Sequence, residues 1–174
     1  MFKVEKPMSS LDHLMRAVQF HHVQLSSMAD VKANMLLTMS SVVLTLCLPQ
    51  IMNHSTFWPL YILISFCLLT IFFAAYAVMP KLPPAHLPPP NLEDPSFNIL
   101  FFGDFTRLTQ AQFESTMQEV MSDPSRAYGA QVREIYLLGT FLAKKKYRFL
   151  RYGYISFITG LFASFIGFII KVLL

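Results

Sequence analysis

Between Ala33 and Met79 the chain runs for 47 residues without an Asp, Glu, Lys or Arg. A helix needs about 20 apolar residues to cross the hydrocarbon of a bilayer, so this run holds two spans, placed at about 33–48 and 57–79. Pro49, Gln50, Asn53, His54, Ser55 and Thr56 supply the predicted turn between them. A third uncharged run, Tyr152–Ile170, has 19 residues bounded by Arg151 and Lys171. At the helical rise it covers about 28 Å, enough for a third crossing. Trp58 and Tyr61 at one end of the second span, and Tyr76 at the other, sit where interfacial aromatic residues belong.

The remaining segments alternate differently. Over 1–32, Leu11, Leu14, Met15, Val18, His22, Leu25 and Met28 recur at three- and four-residue spacing. That spacing predicts an amphipathic helix capped at Ser9 or Ser10, and no turn residue separates it from the first span. Seven of the eleven prolines fall between Pro80 and Pro95, so 80–97 reads as an extended linker. In the 98–151 region, Asp104 is expected to cap a helix over about 105–121, whose face is Phe105, Leu108, Phe113, Met117, Val120 and Met121. After Asp123-Pro124, Tyr128, Val132, Ile135, Leu138, Leu142 and Phe149 keep a helical period into the third span at 152–174. One helix of about 48 residues, roughly 70 Å long, is predicted from Ser125 onward. The fold class is therefore an all-α membrane protein: three transmembrane helices with a small cytoplasmic helical bundle.

Composition sharpens this reading. The chain is 54% apolar with 17 Phe, and only 14% charged against about 25% in soluble domains. Its mean hydropathy is +0.46. The net charge of +4 is too mild to suggest nucleic acid, but its placement sets the topology. Lys3, Lys6, Arg16 and Lys32 precede the first span, the 49–56 turn has no Lys or Arg, and Lys81, Lys144, Lys145, Lys146, Arg148 and Arg151 lie between the second and third spans. Basic residues mark the cytoplasmic side. The N-terminal segment and the 80–151 region are thus expected inside, and the 49–56 turn outside. A cleaved signal peptide is not expected, because the first apolar run follows a polar amphipathic segment and no small-residue cleavage site comes after it.

Chemistry is scarce. There is no P-loop, G-x-G-x-x-G, H-E-x-x-H, G-x-S-x-G or C-x-x-C, so no catalytic residue, metal site or cofactor is expected. Cys47 and Cys67 read as apolar fillers at different depths, and His13, His21 and His22 lack metal-ligand spacing. Asn34, Thr38, Ser41 and Thr45 form a polar stripe on the first span, and Gly153, Ser156, Gly160, Ser164 and Gly167 a small-residue stripe on the third. In lipid such faces let helices approach closely, within one chain or between subunits; a pore lining is the alternative for the first. Asp30 and Lys32 stand at the mouth of the first span. A carboxylate there needs a partner, which the 144–151 cluster can supply. That cluster also suits anionic lipid. Alternatively Arg126, Arg133 and Lys144–Lys146, with Tyr128, Tyr136 and Tyr147, offer the cations and rings that a nucleotide requires.

The block Ala29-Asp30-Val31-Lys32-Ala33-Asn34-Met35-Leu36-Leu37 resembles the Ala-Asp-x-Lys-Ala…Leu motif of the membrane-spanning Pycsar effectors. Agreement extends to Asn98–Phe105 and to Leu142…Lys146-Tyr147-Arg148-Phe149-Leu150-Arg151. The resemblance implies a bacterial antiphage system, in which a pyrimidine cyclase makes cyclic UMP or cyclic CMP and a non-enzymatic effector senses it and impairs the inner membrane. On that reading Arg107, Arg126, Arg133, Tyr128 and Tyr136 are the candidate nucleotide-binding residues. Asp30, Lys32, Lys146 and Tyr147 form a coupling latch. Thr38, Ser41, Thr45, Gly153, Gly160, Ser164 and Gly167 pack the spans, within a homo-oligomer. The competing readings are a constitutive membrane scaffold or transporter accessory subunit, and a holin-like lysis protein.

Overall fold

The computed structural model describes residues 8–53, 57–80, 94 and 97–173. Most of the proline-rich linker lies outside the described residues, as do Lys3, Lys6 and the turn residues 54–56. The described chain is helical, with no strand: α1 (Ser9–Asn53), α2 (Trp58–Val78), α3 (Phe102–Phe105), α4 (Gln110–Ser122), α5 (Pro124–Phe141), a π-helical segment (Leu142–Tyr147) and α6 (Arg148–Leu173). Three helical stretches, Ser9–Met52, Trp58–Val78 and Pro124–Leu173, are long and apolar enough to cross a membrane. The chain divides into two compact units, Met1–Gln24 with Pro80–Phe141 and Leu25–Met79 with Leu142–Leu174.

Two boundaries differ from the sequence expectation. Pro49 lies inside α1, which continues to Asn53 instead of turning at 49. A proline forfeits one i→i−4 bond, and in an apolar setting breaking the helix would leave several more backbone groups unsatisfied. Asp104 does not cap the 105–121 helix. It sits in the single turn α3, and its Oδ2 accepts from the Asn98 backbone N–H at 3.0 Å. The cap is Thr109, whose side chain accepts from the Gln112 N–H while the Gln112 side chain accepts from the Thr109 N–H. This Thr-x-x-Gln capping box satisfies two otherwise orphaned donors and starts α4 at Gln110.

In the second unit, Ala29, Ala33 and Leu36 of α1, Cys67 and Ala74 of α2, and Leu150 and Phe157 of α6 form one buried cluster. The helices meet along small residues. A Cβ on Gly160 would collide with Phe66, one on Gly167 would come within 2.8 Å of the Trp58 ring, and one on Gly153 within 3.2 Å of Leu36 Cδ1. Ser156 Oγ donates to Phe66 O at 3.2 Å and Ser164 Oγ to Pro59 O at 2.9 Å. The third-span stripe is thus seated on α2 of the same chain, which runs antiparallel to α6. Since lipid offers no hydrophobic drive, this close approach and these bonds are what hold the pair.

The first-span stripe behaves differently. Asn34, Thr38, Ser41 and Thr45 are exposed, and the face α1 turns inward is instead Ala29, Ala33, Leu36, Ser40 and Cys47. Apart from Ser40, these residues are smaller or more apolar than the polar stripe, so they admit the neighbouring helices at less cost. Thr38 and Thr45 hydroxyls donate to the carbonyls of Asn34 and Ser41, each at 2.9 Å, and need no partner elsewhere. Leu14 and Met28, assigned above to the apolar face, are about half exposed. Cys47 and Cys67 are buried free thiols.

In the first unit, α4 and α5 form a hairpin broken at Asp123-Pro124. Proline occupies the first position of α5 and Asp123 Oδ1 accepts from the Ser125 N–H at 2.9 Å. The early part of α1 packs on α5 closely: Tyr128 Oη donates to Asp12 Oδ1 at 2.5 Å, and His22 lies beside Gly139.

Candidate functional site

Each unit carries a polar constellation. In the first unit it is built around the 97–104 segment, where Phe97, Asn98, Ile99 and Gly103 are buried. The Asn98 amide donates to Glu134 Oε2 of α5, and Asn98 Oδ1 accepts from the Leu100 N–H at 3.0 Å. Arg133 Nη1 donates to Phe97 O at 3.1 Å. A buried amide satisfied on both sides and an arginine on the backbone pin this loop to α5.

The candidate nucleotide residues divide around α5. Arg133 holds the loop, Arg126 pairs with Glu119 of α4 at 3.3 Å in an exposed salt bridge, and Arg107 is partly buried just past α3. Tyr128 is buried and engaged with Asp12, whereas Tyr136 is 69% exposed. At about 100° per residue, Tyr128 and Arg126 point to nearly opposite sides of the helix, while Arg126 and Arg133 share one. The two arginines therefore form one face that Tyr128 does not join. The hydrogen bond to Asp12 is the main cause that pushes the Tyr128 phenol above its usual range, with burial adding to it. Asn98 opens the block noted in the resemblance, but neither it nor Glu134 was named from sequence as a site residue. The signal available was the Asx-turn that Asn98 makes with Leu100, which marks a structured loop.

In the second unit the π-helical segment organises the site. Such a turn is rare and adds a residue to the helix circumference. Here three consecutive side chains reach three anchors. Lys145, 8% exposed, donates to Met79 O at 3.0 Å, beyond the C-terminus of α2, and lies 5.3 Å from the Tyr76 ring centroid. A cation there complements the negative end of the helix. Lys146 Nζ lies 2.6 and 2.8 Å from the two Asp30 carboxylate oxygens and 2.8 Å from Ser26 Oγ. Tyr147 Oη donates to Leu25 O at 3.1 Å. The base of α6 is thereby fastened to α1 twice and to α2 once. Of the predicted latch, Asp30, Lys146 and Tyr147 come together and Lys32 does not; it is exposed. Among the described residues no three His, Cys, Asp or Glu side chains gather as a metal site.

The described residues are helical, and three of the helices are long and apolar enough to cross a membrane, which defines a helical membrane protein. The chain belongs to the Pycsar effector family, since residues 13–171 match the Pycsar effector protein domain. It is accordingly an antiphage-defence effector of a family linked to cyclic pyrimidine signalling, and not of a known catalytic family. Neither the search of curated proteins nor that of solved structures gave a match.

Proposed function

We propose that the protein is a membrane effector of the bacterial inner membrane, activated by cyclic UMP or cyclic CMP from a companion pyrimidine cyclase, that impairs membrane integrity and aborts infection. The observation that carries this reading is the family match across a chain that separates into a polar helical unit and a unit of packed apolar helices. The cation distribution supports a cytoplasmic N-terminal segment and 80–151 region, because Lys32 and Lys144–Arg151 share one end of the apolar unit.

The phosphate of the ligand is assigned to the α5 face bearing Arg126 and Arg133, with Arg107 as a further candidate cation and the exposed Tyr136 ring as the base-stacking candidate. Arginine suits a phosphodiester because its planar fork donates two bonds at once. Tyr128, buried on Asp12, is assigned a scaffolding part. A ligand shifts a helical assembly only by binding one arrangement better than the other. Within the apolar unit, Lys146–Asp30 and Tyr147–Leu25 are the fastenings that must yield for α1 to move against α6. The exposed Asn34, Thr38, Ser41 and Thr45 face of α1 is then the surface through which copies associate as a homo-oligomer, since polar helix faces in lipid favour helix partners.

Calorimetric titration of the purified full chain with cyclic UMP, cyclic CMP and cyclic AMP tests the ligand step. Binding of one pyrimidine nucleotide, weakened at least tenfold by Arg133→Gln, is the expected result. Absence of heat with both pyrimidine nucleotides would sink the reading.

A further inference from the structure

The anchors at the base of α6 leave three cations unused. Lys145 and Lys146 turn inward, whereas Lys144, Arg148 and Arg151 are exposed and have no partner among the described residues beyond the bond from Arg148 to Tyr152. Their spacing of four and three residues puts them on one side of the helix. The chain contains no Asp or Glu after Glu134, and Asp30, the one carboxylate side chain within Leu25–Met79 and Leu142–Leu174, is committed to Lys146. Within this unit, no carboxylate side chain is left to offset the charge on this side.

The surroundings specify what compensates it. Arg148 Nε donates to Tyr152 Oη at 3.2 Å, and its guanidinium carbon lies 5.8 Å from the same ring. This engages Nε of an exposed guanidinium and leaves its two terminal nitrogens available to receive two oxygens of one phosphate. Directly toward the span, the Tyr76 and Phe149 rings lie 4.4 Å apart by centroids, and Phe149 stands edge-on to Tyr152 at 6.0 Å. Cations above an aromatic shelf, where a 19-residue uncharged run begins, match the boundary between headgroups and acyl chains. A free anion in water would gain nothing from the rings below it.

The geometry points to a site for the phosphodiester headgroup of an anionic phospholipid, bound by Lys144, Arg148 and Arg151 with its acyl chains against Tyr76, Phe149 and Tyr152. It is independent of any nucleotide. An exposed cation near an anionic lipid surface is worth roughly fivefold in affinity, so three give on the order of a hundredfold.

Native mass spectrometry of the full chain, released from micelles containing equal phosphatidylglycerol and phosphatidylcholine, reads the site. The wild-type chain is expected to retain phosphatidylglycerol selectively. The triple variant K144Q/R148Q/R151Q is expected to lose that preference by on the order of a hundredfold while keeping its far-ultraviolet helical signal. Should the triple variant fail to fold, the wild-type chain alone suffices, because its preference must fall as salt is raised. No preference in the wild-type chain, a preference unchanged by salt or one retained by a folded triple variant overturns the site. Displacement of the lipid by millimolar inorganic phosphate overturns the lipid assignment, since the pocket would then be a general anion site.

Discussion

Removing the charge from Asp30 or from Lys146 should not cost the same. The Lys146 side chain is 12% exposed and that of Asp30 42%, although their atoms lie 2.6 Å apart. At that separation the gross attraction is about 6 kcal/mol for an effective dielectric of ~20. Most of this is offset by the desolvation needed to bring the ammonium inside. Breaking a fully buried pair costs about 3–5 kcal/mol and losing an exposed one about 0–1 kcal/mol. This pair lies between those limits, and its two ends differ. Asp30→Asn leaves a mostly buried ammonium with Ser26 and a neutral amide, which should cost about 2 kcal/mol. Lys146→Met keeps the apolar stem and leaves a carboxylate that water reaches, which should cost about 1 kcal/mol. The double variant should be less destabilised than the sum by about 1 kcal/mol. Reversible denaturation in detergent micelles, followed by far-ultraviolet circular dichroism, measures all three. A larger loss for Lys146→Met, or strict additivity, would refute the asymmetric anchor.

Other substitutions separate packing from decoration. Gly160→Ala drives a methyl into Phe66 and should destabilise by about 1–3 kcal/mol in the same assay, whereas Gly129→Ala, with nothing within 4 Å of its added carbon, should stabilise by about 0.5–1 kcal/mol. Thr38→Val with Thr45→Val removes hydroxyls bonded only to their own helix, so folding stability should change by less than about 0.5 kcal/mol while self-association, read by cross-linking, falls. The raised Tyr128 ionisation makes its bond to Asp12 a contribution fully present below the unfolded tyrosine value of about 10 and lost as pH rises through the higher folded value. Ultraviolet difference titration should show a late phenolate phase that Tyr128→Phe removes.

The spans were readable because charge is so costly in hydrocarbon. A helix that crosses it must omit Asp, Glu, Lys and Arg over a long stretch, and a helix in water has no reason to. The same cost made Asp30 and the 144–151 cluster evident partners. Spacing alone does not say which lysine answers Asp30, because Lys144, Lys145 and Lys146 are chemically identical and their directions are set by the π-helical turn; Lys146 was singled out only by the family resemblance at Lys146-Tyr147. That turn has no local signature: its residues fit an α-helical period, and the contacts of Lys145, Lys146 and Tyr147 come from other helices. The inward face of α1 was hidden for a related reason. Ala29, Ala33 and Ser40 carry weak hydropathy signals, so the polar stripe beside them stands out more than they do. The start of α4 was legible in Thr109-x-x-Gln112 but was obscured by Asp104, a good cap residue used elsewhere. In the first unit, the loop pinned by Asn98, Glu134 and Arg133 joins residues 36 apart in the chain, a separation no local pattern reveals.

In the proposed function, this protein turns a pyrimidine cyclic nucleotide into a membrane lesion. Dye release from liposomes reconstituted with the full-length protein, before and after nucleotide addition, tests that conversion most directly. Tight vesicles at first, rapid release with cyclic UMP or cyclic CMP, and none with cyclic AMP are the expected results. Vesicles that leak equally without nucleotide, or that stay sealed with both pyrimidine nucleotides, would contradict it.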